Sequence, residues 1–323
     1  MLLTAPFTQH AHIVRSCVAP PRIAPLRPQV HTDGMEYIAA RTILARVKNA
    51  PDALFGGHYT MNLYRGCPHG CIYCDTRSNC YGIGRLEHIR AKRHALEILW
   101  HEVVSKRARG TVVTGSMHDP YLPQEKEEQL TRSALKLLIR HGFGVHVITK
   151  GTLVTRDADL LAQAQRTFGA VSITVTTPDD GLAAAIEPHA PPPSMRFKAL
   201  AALRAAGVYA GITLMPVLPF ITDSPRDITR LVRCAADAGA AYVLFWPGMT
   251  LRDACREHYL LRLEHLFPGM ARQYRRRYGD RYVCMSPAAA QLNRIVDRCT
   301  AACGMERSVR VWQPPRPEQG RLL

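Results

Sequence analysis

The sequence predicts an α/β fold, a partial (βα)6 TIM-type barrel with a helical C-terminal extension. Six short apolar segments alternate with amphipathic segments between residues 59 and 250, which is the pattern of a parallel sheet covered by helices. The units are short and regular, so we expect the sheet to curl. After residue 250 the chain becomes helical and basic. We expect this extension to pack on the open side of the barrel or to cover its mouth.

The six predicted units follow one another along the chain. Their helical segments carry apolar residues at helical spacing, such as Leu130, Ala134 and Leu137, and Gly207 and Gly239 are suited to end two of them. The predicted strands cover residues 60–66, 111–115, 144–150, 171–177, 209–218 and 241–248. The predicted helices cover residues 86–106, 125–141, 156–167, 194–206 and 225–238, and a short helix is expected at 37–47.

Four regions are expected along the 323 residues of the chain. The N-terminal part lacks apolar periodicity and contains helix-breaking prolines, at positions Pro20, Pro21, Pro25 and Pro28. The expected regions are a flexible Pro-rich tail at 1–36, the barrel at 37–250, the helical extension at 251–310 and a second tail at 311–323.

The composition indicates a globular chain with a preference for anions. Hydrophobic residues make up 47% of it, and 42 Lys and Arg against 26 Asp and Glu give a net charge of +16. This charge favours a polyanionic partner such as nucleic acid, and solvated basic helix faces are the alternative explanation. No run approaches the roughly 18 apolar residues of a membrane span, and the N-terminus lacks the pattern of a secretory signal. We expect a cytoplasmic monomer that contacts no membrane.

Three of the ten cysteines form one compact motif. Cys67, Cys71 and Cys74 lie in a Gly-rich loop directly after the first predicted strand. Clustered cysteines in a large chain with no secretory signal more often bind metal or do chemistry than form disulfides. Iron–sulfur clusters are held by such thiolates. Zinc is the competing interpretation, with Cys71 and Cys74 joined by Cys67 or His69 in a tetrahedral site.

The motif and the sequence around it resemble those of a known family. The spacing Cx3Cx2C with an aromatic residue before the last cysteine resembles the radical S-adenosylmethionine (SAM) superfamily. The wider sequence is similar to the spore photoproduct lyase-like branch, also called DNA repair photolyase-like, over about residues 37–305. The matching stretches are YRGCPHGCIYCDTRS (64–78), TGSMHDPYLPQE (114–125), ITKGTLVTRDADLL (148–161), EPHAPPPSMRFKAL (187–200), LMPVLPFITDS (214–224), FWPGMTLRD (245–253), HLFPGM (265–270) and YVCMSP (282–287).

The resemblance implies a barrel, a [4Fe–4S] cluster on Cys67, Cys71 and Cys74, and SAM as cofactor. In this superfamily the iron without a cysteine chelates the amino and carboxylate groups of SAM. Reduction then gives methionine and a 5′-deoxyadenosyl radical, which abstracts a hydrogen atom from the substrate. Cofactors of this kind carry the hard chemistry, while the protein positions and shields them. Tyr73 matches the family's aromatic residue near cluster and adenine, and a flavodoxin or ferredoxin is the expected electron donor.

Polar residues at the later strand ends are candidates for SAM binding, because chemistry in barrels sits at the carboxyl ends of strands. Thr114, Gly115 and Ser116 match the superfamily's site for the SAM amino group, and an ordinary strand-end turn is the alternative. Lys150 resembles the lysine that neutralises the SAM carboxylate. Ser172 lies in the fourth strand, where relatives use a serine on the SAM ribose.

Three further residues each have two interpretations. Asp119 is either an N-cap or part of the site. Glu187 and Arg196 flank a Pro-rich loop, where they form either a salt bridge or a contact with SAM or substrate. The sequence alone does not separate these alternatives.

The target of the radical is not set by the cysteine motif. The photoproduct lyase carries a hydrogen-donor cysteine near the end of the second strand, where this chain has Ser116 and Met117. Asp75 also replaces a tyrosine of the lyase. Both departures count against photoproduct repair as such. Cys80 lies six residues after Cys74 and is our candidate hydrogen donor.

Two features of the C-terminal part have two possible interpretations each. Residues 272–278 mix arginines and tyrosines, as nucleic-acid grooves do, although Tyr274 and Tyr278 at helical spacing also suit helix packing. Cys284, Cys299 and Cys303 are either ligands of a second cluster or buried free thiols.

The leading hypothesis is therefore a radical SAM enzyme that acts on a nucleic acid or another anionic substrate. The second hypothesis is a non-catalytic or zinc-bound nucleic-acid-binding protein on a degenerate barrel.

Overall fold

The computed structural model describes residues 35–314, so the predicted tails lie almost wholly outside the described residues and stay predictions. Strands and helices alternate along the described part. The strands are β1 (Glu36–Ile38), β2 (Leu44–Arg46), β3 (Tyr59–Met61), β4 (Tyr64–Arg65), β5 (Arg90–Lys92), β6 (Thr111–Thr114), β7 (Gly144–Thr149), β8 (Gly169–Thr174), β9 (Ala210–Leu214), β10 (Val243–Phe245), β11 (Gly248–Thr250) and β12 (Val283–Met285). The helices are α1 (Ala95–Ser105), α2 (Glu125–Glu128), α3 (Leu130–Arg140), α4 (Ala158–Gln163), α5 (Asp180–Ile186), α6 (Pro193–Ala205), α7 (Pro225–Asp237), α8 (Asp253–Leu266), α9 (Met270–Tyr278) and α10 (Ala289–Ala302).

The central sheet confirms the predicted α/β architecture. Its seven strands lie in the order β10-β9-β8-β7-β6-β3-β2, and the six from β3 to β10 are parallel. Each of these six strands overlaps or adjoins one of the six predicted apolar segments. Every residue of β7 and β8 is buried, as expected when helices cover both faces of a parallel sheet. The carboxyl ends of the six strands therefore point the same way and share one edge.

The prediction of a helix at 37–47 is wrong. The structure has β1 and β2 there, and β2 pairs antiparallel with β3 at the edge of the central sheet. The Glu102 carboxylate accepts hydrogen bonds from the backbone amides of Ile43 (3.2 Å) and Leu44 (2.8 Å). Pairing with β3 and with a side chain 58 residues away outweighs local helical preference, which is a weak influence over so short a segment.

The predicted helix at 86–106 is half right. Its C-terminal half is α1, whereas its N-terminal half contains β5, which pairs with β1 and β4 in a separate three-stranded sheet. The predicted helix at 125–141 is divided into α2 and α3 at Gln129, which has a left-handed backbone (φ 49°). The predicted helix at 156–167 is reduced to α4 with short 3-10 turns at either end. Helix α5 lies in a segment for which no helix was predicted.

The C-terminal extension packs against the cysteine loop. Residues of α8 and α9, among them Tyr259 and Tyr274, form one apolar cluster with Cys71, Ile72 and Tyr73 of the loop. Both tyrosines are buried, and the arginines at 275–277 are exposed, so these tyrosines serve packing. No helix within residues 35–314 is long and apolar enough to cross a membrane.

Candidate functional site

The carboxyl ends of the central strands surround a cavity of about 300 Å³. Its walls come from the cysteine loop and from the residues at the ends of β6, β7, β8, β9 and β10. Among them are Gly115, Lys150, Thr174 and Trp246. This is the edge where the barrel rule places chemistry, and the cysteine loop and most of the later strand ends contribute to the cavity.

The cysteine loop is held in place by backbone contacts on both sides. The Cys67 amide donates to the Leu86 carbonyl (2.7 Å), and the Ile72 amide donates to the Ile186 carbonyl (3.0 Å). Gly66 has φ 101°, and a Cβ there would overlap the carbonyl oxygen of His88. Only glycine fits such a position. The loop therefore keeps its path between β4 and the start of the first 3-10 turn.

The thiols of Cys67, Cys71 and Cys74 all line the cavity and are free. Burial raises the pKa of Cys67 and of Cys71 to about 12. Thiols in such a place become thiolates only with nearby positive charge, which metal ions supply. The site thus has the donor set and the desolvated setting of a metal centre.

The three loop cysteines do not form a preformed site for one metal ion. Within residues 35–314, no three His, Cys, Asp or Glu side chains converge as the ligands of one metal ion do, and the loop cysteines are no exception. In a cubane cluster each cysteine binds a different iron, so the sulfurs need not converge on one point. The loop is therefore compatible with a [4Fe–4S] cluster and contains no preformed site for a single zinc ion.

A buried charged network lies behind the cavity, and we call it the Glu187 network. Glu187 and Arg196 are buried and form a salt bridge of 2.5 Å. The Tyr73 hydroxyl donates to the Glu187 carboxylate, and Lys150 Nζ lies 3.9 Å from Glu187 Oε1. Thr176 Oγ1 also donates to it, at 2.9 Å. Glu187 and Arg196 thus form the loop salt bridge and, through Tyr73 and Lys150, also touch the cavity wall.

The charges in this network hold one another in their ionised forms. Burial alone would raise the pKa of Glu187, but Arg196 and Lys150 hold that pKa at about 2. Burial would lower the pKa of Lys150, but the electrostatic effect of Cys71 and Glu187 outweighs it and keeps this pKa above the usual value. A cationic lysine therefore lines the cavity beside the cysteine loop.

Asp119 connects three parts of the site, and its role went beyond the N-cap considered from the sequence. Its carboxylate accepts from the Thr149 hydroxyl (2.5 Å), the Lys150 amide (2.7 Å) and the Tyr121 amide (2.9 Å). His69 Nδ1 in the cysteine loop lies 3.6 Å away. Asp119 thus ties the loop after β6 to the end of β7, next to the cysteine loop.

Some predicted SAM-binding residues share the cavity and others do not. Gly115, Ser116, Lys150 and Tyr73 line it together with the three cysteines. At Gly115 (φ 97°) a Cβ would overlap the carbonyl oxygen of Ile148, so this glycine allows close contact between the ends of β6 and β7. The individual roles of these residues stay predictions.

Three predicted residues lie outside the lining of the cavity. Thr114 faces a small neighbouring space of about 10 Å³. Ser172 is buried and bonds to His146 (2.8 Å) and Tyr242 (3.0 Å). Cys80 is exposed, and its sulfur accepts from the Ser78 hydroxyl (3.2 Å). Their predicted roles in SAM binding and hydrogen donation have no support from their positions.

Residues that the sequence analysis passed over also line the cavity, and their position at strand ends was the available signal. Thr213, Met215 and Trp246 follow this pattern. Asp75, noted only as a departure from the lyase, lines the cavity as well. It forms a 2.7 Å ion pair with Arg252, which links the cysteine loop to the C-terminal extension.

The three C-terminal cysteines are not brought together. Cys284 is buried in the apolar cluster under α8 and α9, whereas Cys299 packs against the main core. Cys303 is exposed. Their different surroundings favour free thiols over ligands of a second cluster.

Comparison with known proteins decides the family. The family model of the radical SAM superfamily matches residues 61–232, which include the cysteine loop and the first strands of the sheet. The chain belongs to the radical SAM superfamily. An uncharacterized protein of Mycobacterium tuberculosis is 31% identical over 283 residues, covering 84% of this chain and 79% of that protein. An uncharacterized protein of Methanocaldococcus jannaschii is 30% identical over 175 residues, covering 54% of this chain and 65% of that protein.

The fold of this radical SAM protein is similar to that of spore photoproduct lyase. The structure of that lyase complexed with dinucleoside spore photoproduct has a TM-score of 0.62 and 14% identity, covering 84% of this chain and 81% of the lyase. A variant of the lyase with bound AdoMet and dinucleoside spore photoproduct gives the same TM-score and the same identity. At this identity the likeness establishes the fold alone.

Proposed function

We propose that this chain cleaves SAM reductively with a [4Fe–4S] cluster held by Cys67, Cys71 and Cys74. When bound, the cluster and SAM together supply a 5′-deoxyadenosyl radical that removes a hydrogen atom from a substrate. One observation carries the proposal: in a chain of the radical SAM superfamily, the three thiols open into one cavity with a cationic lysine.

The other residues of the cavity bind and position SAM in this proposal. Lys150 provides the charge that pairs with the SAM carboxylate, and such a pair is strong in a desolvated site. Gly115 and Ser116 offer carbonyl and hydroxyl groups to the SAM amino group. The Glu187 network fixes Tyr73 and Lys150 beside the cysteines. Asp119 sets the backbone of Lys150 through its amide.

We propose a nucleic acid as the substrate. The net charge of +16 favours a polyanion, and the fold is similar to a lyase whose structure contains a dinucleoside photoproduct. We do not propose that this chain repairs that photoproduct, because Ser116 and Met117 occupy the position of the lyase's donor cysteine. Cys80, our candidate donor, is exposed and outside the cavity lining, so the source of the returned hydrogen is open to experiment.

The test is anaerobic reconstitution followed by reduction with dithionite in the presence of SAM. We expect about four iron atoms per chain, a visible charge-transfer band and formation of 5′-deoxyadenosine. Cys74→Ala should abolish both the band and the product, whereas the matched variant Cys299→Ala, far from the loop, should retain them. A fully reconstituted wild-type chain that forms no 5′-deoxyadenosine would contradict the proposal.

The substrate and the reductant are identified by two extensions of that assay. Deuterium transfer into 5′-deoxyadenosine from deuterated DNA, RNA or peptide reports which substrate loses the hydrogen. We expect transfer from nucleic acid, and transfer from peptide alone would overturn the substrate class. We also propose a flavodoxin or ferredoxin as electron donor, and such a protein should replace dithionite in forming product.

A further inference from the structure

A second groove lies next to the cavity, and it is lined by basic residues. We call it the basic groove. It has a volume of about 270 Å³ and is formed by the segment after β1, by β4 and β5, and by the turn after β6. Its polar lining includes Arg41, Arg65, Lys92 and His118, and none of the described residues that line it is a carboxylate. Met117 lines both the basic groove and the cavity with the cysteines.

Buried nitrogen atoms in this groove lack hydrogen-bond partners. His118 is 6% exposed, and its Nδ1 atom has no partner among the described residues, nor has Nε of Arg65. A buried polar group that is left unpaired destabilises the structure, and a ligand that pairs with it removes that cost. Burial and the neighbouring charges of Arg65 and Lys92 lower the pKa of His118 to about 4. His118 is therefore neutral at pH 7, where one of its ring nitrogens can donate to a ligand.

The cations of the basic groove have mostly carbonyl partners. An Arg65 amino group donates to the Gly82 carbonyl, and Lys92 Nζ lies 3.5 Å from the Thr42 carbonyl. Carbonyl oxygens accept hydrogen bonds but do not neutralise charge. Burial lowers the pKa of Lys92, and the Glu102 carboxylate partly offsets this effect. Among the described lining residues, Arg41 and Arg65 add positive charge with no carboxylate beside them, and this charge is left for a ligand.

We propose that the basic groove binds a phosphate group of the substrate, with Arg41, Arg65, Lys92 and His118 as its donors. This inference rests on the proposed function and deepens it. A phosphate offers several acceptor oxygens and a delocalised negative charge, which suit an arginine fork and a lysine together. Because Met117 borders both spaces, a backbone phosphate held in the basic groove places the adjoining nucleotide beside the radical site. The nucleic-acid backbone is therefore the expected source.

The test measures binding of fluorescein-labelled single-stranded DNA to the cluster-loaded chain by anisotropy. The double variant Arg41→Gln/Lys92→Gln should weaken binding at least about tenfold and lower the slope of log K against log salt by about 0.7, since one phosphate contact is lost. The matched control is Lys136→Gln/Arg140→Gln, which removes the same charge from exposed positions on α3. It should leave the affinity within about twofold. Iron content and melting temperature verify folding, and Arg41→Gln alone, at an exposed position, is the milder variant.

Two further ligands identify the group that is bound. Against an oligonucleotide with an uncharged methylphosphonate backbone, the groove variant and the wild type should bind equally. A nucleoside monophosphate that loses affinity in the groove variant, while DNA does not, would assign the groove to a free nucleotide and overturn the nucleic-acid source. Equal weakening of DNA binding by both double variants would contradict the assignment of the basic groove as a phosphate-binding site.

The outcome is separable from that of the proposed function. Formation of 5′-deoxyadenosine with no difference between the two double variants removes the basic groove and leaves the radical SAM activity. If the two double variants differ in DNA binding but the wild type forms no 5′-deoxyadenosine, the basic groove is supported and the radical SAM activity is contradicted.

Discussion

Two buried polar networks lie along the central sheet, and one of them is charged whereas the other is neutral. The Glu187 network contains a carboxylate, a guanidinium and an ammonium group, from Glu187, Arg196 and Lys150. It lies at the carboxyl ends of the strands and opens to the cavity at Lys150. Its members remain charged because each faces an opposite charge.

The second network is neutral, and we call it the His146 network. His146 Nδ1 lies 2.9 Å from the Phe55 carbonyl, so this nitrogen carries the proton, and Nε2 accepts from the Ser172 hydroxyl. The Tyr242 hydroxyl contacts Ser172 and donates to the Val171 carbonyl (2.8 Å). Burial lowers the pKa of His146 to about 4, which keeps the ring neutral.

The difference shows which network is available for chemistry. Each polar side chain of the His146 network has its partners within the barrel, so the network joins β7 and β8 to the residue preceding β10 and has nothing left to bind a ligand. The Glu187 network leaves a charged lysine at the cavity wall. Charge is kept where a ligand is expected, and neutral hydrogen bonds suffice where only strands are joined.

The largest expected effect comes from removing one ion of the Glu187 network. Arg196→Met leaves the buried Glu187 without its closest partner, and losing one member of a buried ion pair costs about 3–5 kcal/mol. Denaturant unfolding should report this loss of stability. Lys198→Met, at an exposed position on the same helix, should change the free energy of unfolding by less than about 0.5 kcal/mol. Equal stabilities of the two variants would show that the pair is not a structural element.

The next effect concerns binding rather than stability. Lys150→Met should weaken SAM binding by about 1.5–3 kcal/mol, or roughly ten- to a hundredfold, since it removes a charge-assisted hydrogen bond. Titration calorimetry on the cluster-loaded chain measures it, with Lys198→Met as the control. Unchanged SAM affinity would remove Lys150 from the binding site and reduce the Glu187 network to a structural role.

The His146 network predicts a pH dependence. Between pH 6.5 and about 4 the unfolded chain protonates His146 while the folded chain does not, so stability is present above pH 6.5 and is lost as the pH falls. This group should contribute a loss of about 2 kcal/mol between pH 7.5 and pH 5. Unfolding of the wild type and of His146→Gln at both pH values isolates it. A wild type whose pH dependence matches that of the variant would show that His146 is not held neutral.

The smallest effect separates two residues of one strand. Ser172→Ala should lower stability by about 1 kcal/mol, because it removes a hydrogen bond to His146, and should leave SAM affinity unchanged. Thr174 lines the cavity, and Thr174→Ala should alter SAM affinity more than stability. The reverse pattern would restore Ser172 to its predicted place on the SAM ribose.

The local pattern of apolar residues predicted the strands correctly where the same residues are buried in the folded chain. The apolar runs at 144–150 and 171–177 gave strands at nearly those bounds, because buried parallel strands are continuously apolar. It failed at residues 37–47 and 86–94. There short segments form strands through pairing with distant chain and through contacts such as that of Glu102 with Leu44.

The sequence by itself predicted the alternation of strands and helices and the cysteine triad, because these depend on periodicity and on spacing within one loop, and the resemblance of its motifs indicated the family. Tertiary structure decided the rest of the site. Asp119, Glu187 and Arg196 come from separate loops and a helix, and their roles depend on which charges burial brings together. Nothing in local spacing records that Lys150 faces Glu187 while Ser172 faces His146. That depends on the depth of each residue along its strand, and the packed barrel alone sets it.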